Sequence, residues 1–292
     1  DYFVYAYDIM ELNTAVKPFA FRHFLDCGYS QVVYFDPDIL VFCELKEIIP
    51  SRDNEEGILI PHVMTPYFDT AKPGDLNILT SGTYNLGFLS LNSTKKVDAL
   101  IDWWSEKLFT DCVVDIKNGL FVDQKWMDLA PGMIDARILK HPGYNVAYWN
   151  LHERILTQSD RRYYTNERDL GFSPKNPSVL SKHQTRHTVA SGTALANLLA
   201  FYAEQLNENG FSEVQNYSYA YAALPNGVKI SRPIRQVIRS SLKNNIALPS
   251  PLTEPDDFCR YIATPNSTLS GANIAPVIQK LLDEREDVRQ AF

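Results

Sequence analysis

Residues 31–42 read Gln-Val-Val-Tyr-Phe-Asp-Pro-Asp-Ile-Leu-Val-Phe, and this stretch decides the predicted fold. Its first half, residues 32–35, is short, continuous and apolar, which predicts a strand that is buried on both faces. Pro37 cannot continue the hydrogen-bond ladder of a central strand, so we expect the strand to end beside it. Asp36 and Asp38 would then lie at the carboxyl end of a buried strand, where open α/β sheets bind their ligands.

Two carboxylates in this position repel each other and lose hydration unless a cation or hydrogen-bond donors satisfy them. A hard divalent cation such as Mn²⁺ or Mg²⁺ would do so by bridging Asp36 and Asp38 to phosphate oxygens. The alternative is a polar turn between two strands, because Asp-Pro and Pro-Asp are common turn formers. This stretch alone leaves both interpretations open.

The composition indicates a folded globular protein. Of the 292 residues, 45% are hydrophobic and 12% are aromatic, which is typical of a packed globule and not of a disordered chain. The length allows one large domain or a domain with an appendage. The net charge of −7 argues against a nucleic-acid partner, because a general nucleic-acid binder would carry a basic stripe.

The cysteines indicate a reducing compartment. Cys27, Cys43, Cys112 and Cys259 are scattered, and no close Cys pair or Cys/His cluster has the spacing of a zinc site. We therefore expect reduced thiols in a cytoplasmic protein. The sequence has no stretch with the length of a transmembrane helix and no signal peptide. It begins at Asp1 without a methionine, in an apolar run, so we expect the native amino terminus to lie upstream.

Predicted strands and helices alternate up to about residue 165, and helices follow, which predicts an α/β fold with a C-terminal helical region. We place the domain boundary between residues 1–190 and 191–292. Residues 69–82 form a predicted substrate-facing loop, 145–149 a short strand or extended segment and 161–171 an irregular stretch. Strands are predicted over 2–7, 57–60 and 84–91, and helices over 95–109, 123–129, 194–206, 228–242 and 274–292.

Five motifs, taken in order along the chain, resemble those of nucleotide-sugar-dependent glycosyltransferases with the GT-A fold. They are Lys17, Val-Val-Tyr-Phe-Asp-Pro-Asp-Ile-Leu-Val at 32–41, Tyr-Asn-Leu-Gly-Phe at 84–88, the pair Asp123 and Gln124, and Gly-Tyr-Asn-Val-Ala-Tyr-Trp-Asn at 143–150. One Asp-X-Asp is weak evidence because it occurs by chance, whereas the ordered set is specific. The resemblance covers residues 1–187 and is strongest to retaining family 8 enzymes and to bacterial glycosyltransferases of cell-surface polysaccharide clusters.

The resemblance implies a GT-A fold, which is a Rossmann-like mixed sheet flanked by helices. It also implies a metal-dependent transferase that moves a sugar from a nucleotide-diphosphate sugar to a glycan or lipid-linked acceptor, with retention of configuration. Members of the bacterial group are often fused to further domains, so the chain is expected to be part of a longer protein. The expected location is the cytoplasm, with the inner face of the membrane as an alternative.

The resemblance also assigns roles to residues of this chain that match the family's motifs. Asp36 and Asp38 would hold Mn²⁺ or Mg²⁺ on the diphosphate of the donor. Asp123 would bind the hydroxyl groups of the sugar, and the amide oxygen of Gln124 would lie near its anomeric carbon. The implied donor-binding residues are Lys17, Asp36, Asn85, Gly87, Asn145 and Trp149, with Asn150 on an adjoining loop.

Each assignment has a plainer structural alternative. Lys17 would be a solvated lysine at a helix start, and Trp149 would be a core residue. Asn85 and Gly87 would belong to an ordinary strand. Asp123 and Gln124 would be a helix cap and a surface helix residue.

The chain departs from the family's pattern at two places. Related enzymes carry a histidine as a third metal ligand, whereas residues 169–174 read Asp-Leu-Gly-Phe-Ser-Pro. Either a segment is missing before Gly171, which we favour, or the ligand is absent, with His183 or His187 as a substitute. The first nucleotide-binding strand of a GT-A fold is expected before Asp1.

Two other classes of protein remain as alternatives. A sugar nucleotidyltransferase would share carboxylate–metal chemistry but should carry a Gly-rich phosphate loop, and none is visible. A non-catalytic glycan-binding or scaffold domain would use the helical region for assembly. Basic residues recur there at near-helical spacing and would face either lipid headgroups or solvent: Lys229, Arg232, Arg235, Arg239 and Lys243.

Overall fold

The computed structural model describes residues 1–50, 52, 54–174 and 183–263. The chain forms two compact units. The helical unit consists of Asp1–Lys17, Ser105–Val114 and Tyr217–Phe292, of which the structure describes residues up to 263. The sheet unit consists of Pro18–Trp104 and Asp115–Asn216. The predicted boundary near residue 190 therefore falls inside the sheet unit, and the first residues of the chain belong with its C-terminal part.

The α-helices agree with most of the predicted helical segments. The described helices are α1 (Tyr2–Tyr5), α2 (Ile9–Ala15), α3 (Lys17–Asp26), α4 (Asp75–Ser81), α5 (Lys95–Leu108), α6 (Ala194–Glu208), α7 (Phe211–Val214), α8 (Arg232–Lys243) and α9 (Pro255–Ala263). Shorter 3₁₀ helices include Lys46–Ile48 and Lys125–Gly132. The helix predicted over 274–292 lies outside the described residues.

The strands of the described residues all lie in the sheet unit or at its border. They are β1 (Gln31–Phe35), β2 (Ile39–Val41), β3 (Gly57–Leu59), β4 (Phe88–Asn92), β5 (Val114–Asp115), β6 (Leu120–Phe121), β7 (Ala136–Ile138), β8 (Leu156–Ser159), β9 (Arg162–Thr165), β10 (Arg168–Asp169) and β11 (Phe172–Pro174). The chain is thus a mixed α/β protein, as predicted.

The largest described sheet has the order β1-β4-β3-β7. β4 runs antiparallel to both of its neighbours, and β3 and β7 are parallel, so β1, β3 and β7 all point the same way. The residues that follow β1 and β3 therefore meet the residues that precede β4 at one edge of the sheet.

The apolar residues of these strands form an aromatic core. The ring of Phe35 packs edge-on against those of Phe88 and Phe172, at centroid distances of 5.3 and 5.4 Å. Ile58 and Phe88 are fully buried in the central strands. β1 differs from its prediction, because every residue in it is only half-buried. Within the described residues it is an edge strand, so one side of its ladder has no neighbouring strand of this sheet to cover it.

α5 confirms the predicted amphipathic helix. Leu100, Ile101 and Trp104 are all fully buried, as expected for residues at helical spacing on one face. The indole Nε1 of Trp104 donates to the backbone oxygen of Asp123 at 3.3 Å, which satisfies the polar end of a buried tryptophan.

Several predicted elements are wrong. Residues 2–5 form a short helix and not a strand, because an aromatic run of this length carries no periodicity that separates the two states. The stretch 161–171 is not irregular but contributes β9 and β10 to a three-stranded sheet. Its turns use non-glycine residues at positive φ, namely Asp160, Asn166 and Glu167. α4 occupies half of the predicted loop 69–82, and residues 145–149 form no strand.

The basic residues of α8 bond within the helical unit. Arg235 is buried and donates to the backbone oxygens of Tyr5 at 3.0 Å and Tyr221 at 2.8 Å. Arg239 donates to the backbone oxygen of Ala6, and Lys243 pairs with Asp111. Lys229, Arg232 and Lys243 are exposed, so the predicted contact of this basic face with lipid headgroups stays a prediction.

Two findings bear on the predicted location. None of the helices in the described part of the chain combines the length and the apolar character needed to cross a bilayer. All four cysteines are free thiols.

Gly171 lies directly against the buried ring of Tyr144. The N–H of Gly171 donates to the oxygen of Gly143, and the oxygen of Gly171 accepts from the N–H of Phe42. This glycine therefore has a packing role of its own.

We expect Gly171→Ala to lower the free energy of unfolding by about 1–3 kcal/mol, because an added methyl group would overlap the Tyr144 ring. Urea unfolding followed by circular dichroism measures the change. Gly132→Ala is the matched control, since nothing lies within 4 Å of its added Cβ. Equal losses in the two variants would contradict the packing argument.

Candidate functional site

Backbone hydrogen bonds gather several of the predicted site residues at one edge of the sheet. The N–H of Asp36, directly after β1, donates to the oxygen of Gly87 at 2.8 Å. The N–H of Asn85 donates to the oxygen of Ile60 at 2.9 Å, and that of His62 donates to Thr83 at 3.0 Å. The end of β1, the segment after β3 and the approach to β4 are thus joined by main-chain bonds, which fixes their side chains relative to one another.

Gly87 leaves space for two oxygen atoms. A Cβ added at Gly87 would lie 2.8 Å from Oδ1 of Asn85 and 3.2 Å from Oδ2 of Asp36. A side chain here would displace both oxygens, so the glycine is explained by close approach and not by strand packing alone. The other carboxylate oxygen of Asp36 accepts from the hydroxyl of Tyr34 at 2.7 Å, which holds the carboxylate in place.

Asp38 lies on the surface of the sheet unit beside α6. Its side chain is exposed, and its backbone oxygen accepts from the hydroxyl of Tyr202 at 2.6 Å. Burial, with a smaller contribution from the Asp38 charge, raises the pKa of Tyr202 to about 12. Tyr202 is a residue that the sequence did not reveal, because it lies in an apolar helix like any core tyrosine.

Gln124 has a different environment from the predicted one. Its Oε1 accepts from the N–H of Leu86 at 3.1 Å and from Nδ2 of Asn85 at 3.3 Å, while its Nε2 donates to the oxygen of Ser81 at 2.8 Å. An amide oxygen has two lone pairs, and both are engaged here. This arrangement fits a residue that positions Asn85, and the predicted approach of its oxygen to an anomeric carbon stays a prediction.

Asp123 is buried, with 1% of its surface exposed. It is therefore neither a solvated helix residue nor a residue that lines the cavity described below. The 3₁₀ helix that follows begins at Lys125 with Gln124 as its N-cap. The observed helix therefore begins two residues later than the predicted one. The predicted contact between Asp123 and sugar hydroxyls stays a prediction.

His62 joins the site although the sequence did not single it out. Its ring is buried, and its Nδ1 lies 3.4 Å from the backbone oxygen of Thr83. Because a carbonyl oxygen only accepts, Nδ1 carries the proton, and Nε2 accepts from Nδ2 of Asn85 at 3.4 Å. The signal that would have found it is a polar residue directly after the predicted strand 57–60, the same signal that identified Asp36.

The loop of residues 143–150 reaches the same edge. Asn150 is fully buried, and its Nδ2 donates to the backbone oxygens of His62 at 3.0 Å and Asn145 at 2.8 Å. Its role in this structure is to fasten the loop. Asn145 has φ 57°, and both polar atoms of its buried side chain make no hydrogen bond to the described residues. A buried polar group without a hydrogen bond lowers the stability of the fold unless a ligand or water satisfies it.

A cavity of about 660 Å³ opens beside these residues, in the size range of small-molecule sites. Its walls include His62, Asn85, Gln124, Trp149 and His183. Trp149 is 3% exposed and packs edge-on against His62, so it is both a core residue and a cavity wall. Asp36 and Asp38 lie outside the lining of this cavity.

Lys17 is the first residue of α3 and is 4% exposed. A solvated lysine at a helix start is therefore not what the structure contains. Lys17 is assigned to the helical unit and Asp36 to the sheet unit. Its predicted contact with a donor stays a prediction.

The oxygens at this edge suit a hard divalent cation. Among the described residues, no three Asp, Glu, His or Cys side chains come together in a way that could hold a metal ion. The available ligands are the carboxylates of Asp36 and Asp38 and the amide oxygen of Asn85, which are the oxygen donors that Mn²⁺ and Mg²⁺ prefer. His187 is poorly placed as a ligand, because Arg186 lies beside it; burial, followed by the charge of Arg186, lowers the pKa of His187.

Comparison with known proteins gives little guidance. The chain is 25% identical over 167 residues to a Bacillus subtilis (strain 168) protein described as "Uncharacterized protein YfnD". The match covers 54% of this chain and 50% of that protein, so the chain spans about half the length of this relative. No family model matches the chain, and no solved structure gives a significant match.

We expect Gln124→Leu to lower the free energy of unfolding by about 1–3 kcal/mol, because it removes the three hydrogen bonds of a buried amide. Urea unfolding measures the change. The control is Gln215→Leu, whose exposed amide donates only to Ser212. A Gln124 variant as stable as the control would mean that these bonds do not hold the site together.

Proposed function

We propose that this protein is a metal-dependent glycosyltransferase that moves a sugar from a nucleotide-diphosphate sugar to a glycan or lipid-linked acceptor. One observation carries the proposal: Asp36, Asn85, Gly87 and Gln124, which come from three separate motifs, meet at the edge of the sheet beside a cavity of about 660 Å³. Open α/β sheets bind ligands at the carboxyl ends of their strands, which is where this edge lies.

Each residue at this edge of the sheet would have a separate role in transfer. Asp36 and Asp38 hold Mn²⁺ or Mg²⁺, which, when bound, supplies positive charge to stabilise the departing diphosphate. Gly87 lets the diphosphate or the sugar approach the backbone. Gln124 keeps the segment Asn85–Leu86 in place through its hydrogen bonds, and the cavity encloses the sugar and excludes water.

The lining of the cavity supports retention of configuration. An inverting enzyme needs a base that activates the acceptor hydroxyl, and this base is ordinarily a carboxylate. None of the described residues that line the cavity is an aspartate or a glutamate. Both ring nitrogens of His62 are engaged with neighbouring groups. In a retaining reaction the leaving phosphate can take the proton, so no protein carboxylate is needed.

Exposed apolar residues near the cavity support an acceptor with an apolar part. α4 contributes Ser81 and Thr80 to the cavity wall, yet Leu76 and Leu79 on this helix are 77% and 61% exposed. Phe68, just before this helix, is 92% exposed. Ile78 of the same helix also lines the cavity. Exposed leucines beside the cavity fit a lipid-linked saccharide better than a free one.

The two rival classes differ in their products. A sugar nucleotidyltransferase releases pyrophosphate from a nucleoside triphosphate and a sugar 1-phosphate, whereas a transferase releases a nucleoside diphosphate. A glycan-binding domain releases neither. A panel of UDP-, GDP- and dTDP-sugars with Mn²⁺, assayed for release of the diphosphate, therefore tests the proposal. Release of pyrophosphate alone would contradict it.

We expect Asp38→Ala to lower transfer by about 100-fold or more, because the variant loses one of the charges that hold the cation. The side chain is exposed, so circular dichroism and the melting temperature should stay unchanged. Asp26→Ala, an exposed carboxylate at the end of α3, is the matched control. Near-normal transfer by the Asp38 variant would rule out the metal assignment.

Removal of divalent ions by EDTA should stop turnover, and added Mn²⁺ should restore it. The physical reason is that the departing diphosphate then lacks its main source of positive charge. Initial rates before chelation, after chelation and after addition of Mn²⁺ or Mg²⁺ measure the effect. Turnover that persists after complete demetallation would indicate a metal-independent transferase.

A further inference from the structure

A divalent cation held by Asp36 and Asp38 has coordination positions left for a further protein ligand, and among the described residues no third Asp, Glu, His or Cys side chain groups with them. We propose that the carboxamide oxygen of Asn85 supplies this ligand, so that the site consists of Asp36, Asp38 and Oδ1 of Asn85. The inference rests on the proposed function, since it concerns the same cation. The inference adds a neutral amide oxygen to the two carboxylates that the proposed function assigns to the cation.

The orientation of the Asn85 amide is fixed by its nitrogen. Nδ2 carries two hydrogens, and its two contacts are Nε2 of His62 at 3.4 Å and Oε1 of Gln124 at 3.3 Å. Both partners can only accept here, because His62 carries its proton on Nδ1 and Oε1 is an amide oxygen. With both hydrogens directed toward these acceptors, Oδ1 must point to the opposite side.

The opposite side is the bare backbone of Gly87. Oδ1 of Asn85 and Oδ2 of Asp36 lie 2.8 and 3.2 Å from the same point, the position that a Cβ of Gly87 would take. No described residue donates a hydrogen bond to Oδ1 of Asn85, so its lone pairs are available. Two oxygens that face one side-chain-free space are the arrangement expected of ligands to a shared hard cation.

The charges agree with this assignment. Two carboxylates balance the charge of a divalent cation, and a neutral amide oxygen adds a ligand without adding repulsion. The two histidines that the sequence offered are less suitable. His183 lies on the cavity wall, where its ring stacks with Tyr148 at 6.0 Å. His187 lies beside the charge of Arg186, which would repel a cation.

The test measures Mn²⁺ binding itself, with Mn²⁺ alone as the probe and no sugar donor. Electron paramagnetic resonance of the free ion gives the dissociation constant for the purified chain. We expect Asn85→Ala to weaken binding by about 10-fold or more, and His183→Ala to leave it unchanged. Asn77→Ala, which removes another asparagine of the same cavity, is the matched control.

Asn85→Asp separates ligation from a purely structural role. Aspartate keeps an oxygen at the ligand position but cannot donate to His62 and Gln124, so it loses the supporting hydrogen bonds as completely as alanine does. Binding of Mn²⁺ by Asn85→Asp at the wild-type level or tighter, with Asn85→Ala weakened, supports ligation. Equal weakening in both variants overturns it.

Failure of this inference is distinguishable from failure of the proposed function. If Asp36→Ala abolishes Mn²⁺ binding but Asn85→Ala does not change it, the cation site stands and the third ligand is not Asn85. The same conclusion follows if His183→Ala weakens binding instead. If the wild-type chain takes up no Mn²⁺ at millimolar concentration, the cation site and this inference are both overturned.

Discussion

The antiparallel pairing of β1 with β4 is the interaction on which the rest of the site depends. Its register matches Phe35 with Phe88, and the next bond beyond this pair joins the N–H of Asp36 to the oxygen of Gly87. A shift of one residue would move every side chain of β1 to the other face. The aromatic packing of Phe35 against Phe88 favours this register, so the same contact that stabilises the core also brings Asp36 beside a glycine.

Side-chain hydrogen bonds fix the orientations of the polar groups at this edge of the sheet. The buried amide of Gln124, the half-buried amide of Asn85 and the imidazole of His62 form one chain of donors and acceptors, and each of them has its orientation set by the next. A connected network of this kind restricts the orientations of its members. Asp38 is exposed, so its carboxylate lies at the solvent side of this edge.

The sequence predicted those parts of the fold and site that depend on local signals. Asp36 and Gly87 follow from strand length, proline placement and a glycine inside a strand pattern, and all of these are read within a few residues. The turn at Asn166 and Glu167 was missed because its positive φ angles use residues other than glycine. The contact of Tyr202 with Asp38, and the joining of residues 1–17 with residues 217–263 in one unit, depend on contacts between distant residues. No single-sequence pattern records such contacts.

The composition of the helical unit has a consequence for how the chain is made. Residues Asp1–Lys17 pack with residues from Tyr217 onward, and Arg235 bonds to the oxygen of Tyr5 across 230 positions of the chain. At the usual speed of translation, roughly 10 to 40 seconds pass between synthesis of these two segments. The aromatic four-residue helix α1 is too short to be stable alone during that interval. Helix α1 therefore gains these contacts only after residue 217 and the residues that follow it have been synthesised.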